Sequence, residues 1–119
     1  MASYIDAARA NEYFRQTLET GEHAQLVVMT LQPGEEIGEE THDGDQILFF
    51  VEGEGEAILA GEASPVRPGE YTFVPAGTLH NFVNTGGEPL RLVTTYAPPE
   101  HAPGTVHRTK AEADAAEHH

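Results

Sequence analysis

Four side chains in two short stretches have the types and spacing to hold a cation. Residues 34–53 read GEEIGEETHDGDQILFFVEG and carry Glu40, His42 and Gln46; residues 69–84 read GEYTFVPAGTLHNFVN and carry His80. In an extended strand alternate side chains share a face, so Glu40 and His42 point the same way. Gln46 keeps that parity if the Asp43-Gly44-Asp45 turn does not shift it. Pro75 fixes φ and Gly77 tolerates positive φ, which forces a reversal and returns His80 towards the His42 strand. One carboxylate, two imidazoles and a neutral amide oxygen make a mixed N/O donor set without sulfur. Such a set suits one divalent transition metal: Fe(II), Mn(II), Ni(II), Zn(II) or Co(II). With a single anionic donor the ion keeps positive charge, able to polarise a bound anion or acidify a bound water. Two histidines with one carboxylate match the facial triad of non-haem iron enzymes, which favours Fe(II) here. Gln46 is the weakest member of the set.

These residues need strands to position them. Twelve Gly and eight Pro punctuate the chain, and strand-like segments recur about every eight to twelve residues, as in an all-β sandwich or barrel. A short helix is expected over residues 3–10 with Ser3 as N-cap. A strand-like segment follows at 13–18, then AQLVVMTL at 24–31, apolar enough to be buried on both faces. Residues 37–42 read as a short polar strand and 46–52 (QILFFVE) as a strong one. Residues 56–60 follow, with Gly61-Glu62 as a type II′ connection, and then strands at 70–74, 79–83 and 89–97. Residues 98–104 form a Pro-rich loop, and 105–108 add an edge strand. Residues 109–117 form a helix capped by Thr109, whose apolar face is little more than alanine, so it is expected to pack weakly.

Composition bounds the partners. The chain has 119 residues and a net charge of -14, which fits one domain and argues against nucleic acid or an anionic membrane. The six basic residues, Arg9, Arg15, Arg67, Arg91, Arg108 and Lys110, form no cluster in sequence, and none lies within either motif to hold a phosphate. There is no cysteine, hence no disulfide and no thiolate ligand. The N-terminus has neither the basic start nor the apolar core of a signal peptide, and no run approaches a membrane span. A cytoplasmic protein is the expectation.

The spacing of both stretches resembles that of the cupin superfamily. Gly69, Pro75, Gly77, His80 and Asn84 meet every specified position of the second cupin motif, G-x5-P-x-G-x2-H-x3-N. Gly34, His42 and Gly53 match the first motif, G-x5-H-x-H-x3-E-x6-G, with Glu40 in place of its first His and Gln46 in place of its Glu. The resemblance implies a double-stranded β-helix, the jelly-roll barrel of cupins, with short terminal helices. It implies one domain over residues 1–119 with its barrel at about 13–97. It also implies a divalent metal in the barrel mouth held by Glu40, His42, Gln46 and His80, and often a homodimer. The apolar segment 25–31 would suit an intersubunit sheet. The activity expected is that of a metal-dependent cupin acting on a small molecule, foremost a dioxygenase-like oxidoreductase with a chelating substrate. Sugar or uronate isomerase or lyase chemistry, and non-catalytic binding of a small ligand or metal, are the alternatives.

Other residues carry weaker signals. His107 is a candidate proton shuttle and Tyr96 a candidate hydroxyl in the cavity. His101 flanks the Pro-rich loop, and Glu100 and Asp45 are candidates to support the ligands. Phe49, Phe50, Phe73 and Phe82 read as core, Asn84 as a structural tie, and His23 as exposed. His118 and His119 have the look of a purification tag.

Overall fold

The run at 24–31 is apolar because it becomes the middle of a sheet. The structure is a computed structural model that describes residues 1–117. In it β2 (Gln25–Leu31) lies between β1 (Arg15–Thr20) and β8 (Leu90–Ala97), antiparallel to both. Val27, Met29 and Leu31 join the interior core, while Val28 faces outward against Ala8 of α1 (Tyr4–Ala10) and Val93 of β8. Both edges of β2 are paired, and β1 pairs in turn with β9 (Val106–His107). An intersubunit sheet through residues 25–31 therefore has no free edge to use.

The larger sheet has six strands in the order β6-β3-β8-β2-β1-β9, with β3 at Asp45–Glu52 and β6 at Tyr71–Val74. The smaller has the order β5-β4-β7, with β4 at Gly55–Leu59, β5 at Glu62–Val66 and β7 at His80–Asn84. All named pairings are antiparallel, and the two sheets close over one core as a double-stranded β-helix. The period-two alternation decides which aromatics enter it. Leu48 and Phe50 face in with Phe82, whereas Phe49 and Phe73 are 38% and 45% exposed on the outer face and leave the expected core.

Three local expectations need correction. Residues 37–42 form no strand, because Gly38 adopts φ 109°, donates its N–H to Asn81 Oδ1 and breaks the extended run; only Glu40 bridges to His80. The β4–β5 hairpin turns on Ala60 and Gly61, with φ 50° and 84°, which is type I′ rather than II′. The C-terminal helix α2 (Lys110–Glu117) docks rather than packing weakly. Ala113 is buried in the same cluster as Phe14, and Lys110 Nζ donates to the Ile37 carbonyl at 2.9 Å. Its Thr109 cap accepts from the Glu112 N–H, just as Ser3 caps α1 through the Asp6 N–H. No helix among the described residues is long and apolar enough to cross a membrane. His118 and His119 lie outside the described residues.

Candidate metal centre

Backbone hydrogen bonds stitch the two motifs together before any side chain is considered. Glu40 and His80 exchange both N–H to carbonyl bonds at 3.0 Å, and the Gly77 N–H donates to the His42 carbonyl at 2.8 Å. Gly77 has φ 80°, so the turn after Pro75 depends on glycine to make that reversal. The result places donor atoms of Glu40, His42 and His80 all within 4.8 Å of one another. His42 Nε2 lies 3.1 Å from Glu40 Oε1, and His80 Nε2 lies 3.8 Å from the same oxygen. The parity expected for Glu40 and His42 is thus met by an irregular segment.

Each side chain of the cluster is oriented by a neighbour. His80 Nδ1 sits 2.8 Å from the Thr78 carbonyl, to which it must donate; Nε2 then carries the lone pair, buried and without a partner. His42 Nδ1 lies 3.1 Å from Glu100 Oε1, an ion-pair distance without hydrogen-bond alignment. Glu100, beside the Pro-rich loop, thereby braces His42. The Tyr96 ring stands edge-on to His42, with centroids 5.5 Å apart. Gln46, on β3 opposite Tyr96, is buried; its amide NH₂ donates to Thr94 Oγ1 at 3.1 Å, leaving Oε1 buried and unpartnered.

Charge follows the geometry. Burial would raise the Glu40 carboxyl, but the His42 hydrogen bond and the positive charges of His42 and Arg15 hold it below the ordinary value. Burial would lower the His42 imidazole, but the hydrogen bond and charge of Glu40, with the charge of Glu100, raise it. Glu40 is therefore an anion ready to meet a cation. Burial pushes the Tyr96 hydroxyl up, so it remains a proton donor. His101 is pushed down to about 4, first by burial and then by the Arg15 charge.

The remaining candidates divide. His101 packs edge-on to Tyr96, and Gln25 holds its backbone on both sides, accepting from the His101 N–H and donating to its carbonyl. This fastens the 98–104 loop across the interior. His107 is half-buried on β9 and its Nδ1 accepts from Arg15 Nη1 at 2.9 Å, so it is neither exposed nor part of the ligand cluster. Asp45 accepts from the Ala76 N–H, His23 is exposed, and Asn84 ties down its turn with three hydrogen bonds. Arg15 and Gln25 went unnoticed in sequence. The cleft of about 670 Å³ between β5 and β6, lined by Leu59, Val66 and Phe73 among others, contains none of these residues.

A jelly-roll barrel with a buried Glu/His/His cluster and a Pro-x-Gly turn behind one ligand defines a small class of β-barrel proteins. The chain belongs to the cupin family: the cupin domain model matches residues 27–96. It is 44% identical over 119 residues to the uncharacterized protein YrkC of Bacillus subtilis, covering 93% of this chain and 63% of that relative's length. It superposes on the crystal structure of BH2720 from Bacillus halodurans with a TM-score of 0.95 and 41% identity, over 97% of this chain and 92% of that one. An RmlC-like cupin from Shewanella frigidimarina shares the fold at a TM-score of 0.67 and 25% identity, over 73% of this chain and 77% of that one.

Proposed function

We propose that Glu40, His42 and His80 hold one divalent transition metal, Fe(II) by preference, with the Gln46 amide oxygen as a weaker fourth donor. The protein would then act on a small chelating molecule of the enol or diketone type as a dioxygenase-like enzyme. One observation carries this reading. The Nε2 lone pair of His80 is aimed, buried and unpartnered, at the oxygen of an ionised Glu40 that His42 also faces. Two acceptors facing each other in the dry interior are unfavourable until a cation or a proton lies between them. The donor set fits that group.

Such a metal supplies chemistry with dioxygen and polarises the oxygens that chelate it. The chain's own residues do the rest. Thr78 fixes the His80 tautomer, so the nitrogen facing Glu40 is always the acceptor. Glu100 steadies His42 from its far side. Tyr96 packs edge-on to His42 and to His101 of the loop held by Gln25, and burial keeps its hydroxyl neutral, able to donate a hydrogen bond.

The test is oxygen uptake by Fe(II)-loaded protein with chelating diketones and enols. Oxygen consumption in proportion to substrate, lost in His80→Ala, is the expected result. Turnover that is independent of oxygen and equal with Zn(II) or Mn(II) would replace this reading with isomerase or lyase chemistry. Tight metal with no turnover at all would leave a binding protein.

A further inference from the structure

Arg15 is a cation placed where sequence gave no reason to expect one. It is 2% exposed at the start of β1, and among the described residues no carboxylate forms an ion pair with it. One contact goes to the neutral side of His107, another to the Phe14 ring at 5.3 Å, and neither supplies negative charge. Its Nε–H is buried with no acceptor. Breaking up a buried pair so that one charge stands alone is strongly destabilising, so a lone buried guanidinium calls for an anion that the chain does not provide. The guanidinium contacts the Tyr96 side chain, whose ring stands 5.5 Å from that of His42 and 5.2 Å from that of His101, which puts it on the Glu40 cluster's side of the interior. Glu40 itself is engaged with His42 at 3.1 Å.

We propose that Arg15 is the anion-recognition group of this interior, and that the small molecule bound at the metal centre carries a carboxylate for it. The substrate class is thus a chelating oxo acid rather than a neutral diketone. This deepens the metal-site reading and rests on it for the position of the chelating oxygens. A divalent ion and Arg15 together exceed the charge of Glu40 and Glu100, so the loaded interior attracts an anion. Arginine suits the task because its planar fork matches a carboxylate, and the unpartnered Nε–H is one of the donors that such a pair uses.

Two probes differing by one carboxylate separate the outcomes: acetylacetone and 2,4-dioxopentanoate, titrated into Zn(II)-loaded wild type and Arg15→Gln by calorimetry, with zinc measured in every sample. Wild type should bind the acid at least about tenfold tighter than the diketone, as expected for a charge-assisted pair. Arg15→Gln should lose that advantage while binding acetylacetone as wild type does. In wild type the Arg15 Nε–H resonance should move with the acid and stay put with acetylacetone, a readout that survives if the variant does not fold. An acid preference retained in Arg15→Gln, or a resonance unmoved by saturating acid, would overturn the proposal. Should wild type take up no zinc, the acid is titrated into metal-free protein. Binding that depends on Arg15 would then keep the anion site and discard the metal; no such binding would discard both.

Discussion

Two kinds of buried polar side chain share the barrel interior and its rim, and they are treated in opposite ways. Asn84 donates to the Leu31 and Glu88 carbonyls and accepts from the Gly86 N–H; Asn11 and Thr30 bond each other and the backbone around them. These groups fasten turns and strand ends. In the cluster around Glu40 and Tyr96 the pattern reverses: Arg15 Nε, His42 Nδ1, Gln46 Oε1, His80 Nε2 and His101 Nε2 are buried without a hydrogen-bond partner. An unmade hydrogen bond in the interior costs about 1–3 kcal/mol, so folding alone does not account for five of them gathered in one place. The groups left open are those proposed to bind something; the groups that hold the fold together are closed.

That contrast breaks first at the metal. His80→Ala removes a proposed ligand, so affinity for Zn(II) should fall by roughly 100-fold or more, while the metal-free protein loses less stability than Asn84→Ala does, since one carbonyl rather than two is stranded. Competition with a chromophoric chelator and urea titration measure the two. Asn84→Ala should do the reverse: a stability loss of about 3 kcal/mol from stranded carbonyls, with metal stoichiometry unchanged in the folded fraction.

Gln46→Leu sharpens the comparison, since Gln46 has one closed end and one open. We expect metal affinity to fall roughly tenfold and stability to change by less than about 1.5 kcal/mol, the cost of a near-isosteric swap that also strands a hydroxyl able to rotate. A loss as large as that of Asn84→Ala would show that Gln46 belongs with the structural group.

The smallest effect is in the pH profile. His101 has a folded pKa of about 4 against an ordinary 6.5, so the unfolded chain takes up its proton first. Its contribution is full above the ordinary value and is lost as pH falls towards 4. His42 has the opposite sign: its folded pKa is raised, so its contribution is full below 6.5 and is lost as pH rises through the folded value. Urea midpoints of metal-free protein should therefore decline from pH 6.5 to 4.5, and His101→Phe should flatten that decline. An unchanged slope in the variant would remove His101 from the account.

Much of this was legible in the sequence because it depends on spacing. Pro75, Gly77 and His80 fix a turn and the imidazole that follows it by covalent geometry, and the alternation of 46–52 puts Gln46, Leu48 and Phe50 on one face whatever else the chain does. Arg15 was not legible for an equally physical reason. In RQTLET the one apolar residue is Leu18, and taking it as inward turns Arg15 to solvent. In the fold Leu18 packs on the outer side of the sheet in the cluster that holds Ala8 of α1, so Arg15, three residues before it, faces in. Phe49 and Phe73 misled in the converse way, as large apolar residues on an outer face. Residues 37–42 kept the expected parity without forming a strand, because one bridge to His80 suffices to aim Glu40.

The central claim is that the open His80 Nε2 and Gln46 Oε1, with Glu40 and His42, are completed by a metal. The most direct measurement is metal content by mass spectrometry on protein lacking His118 and His119, beside a His42→Ala/His80→Ala double variant. The account predicts close to one equivalent of a divalent transition metal in the first protein and none in the second, with both folded by circular dichroism. Absence of metal from both, after anaerobic reconstitution with Fe(II), Mn(II) and Zn(II) in turn, would contradict it.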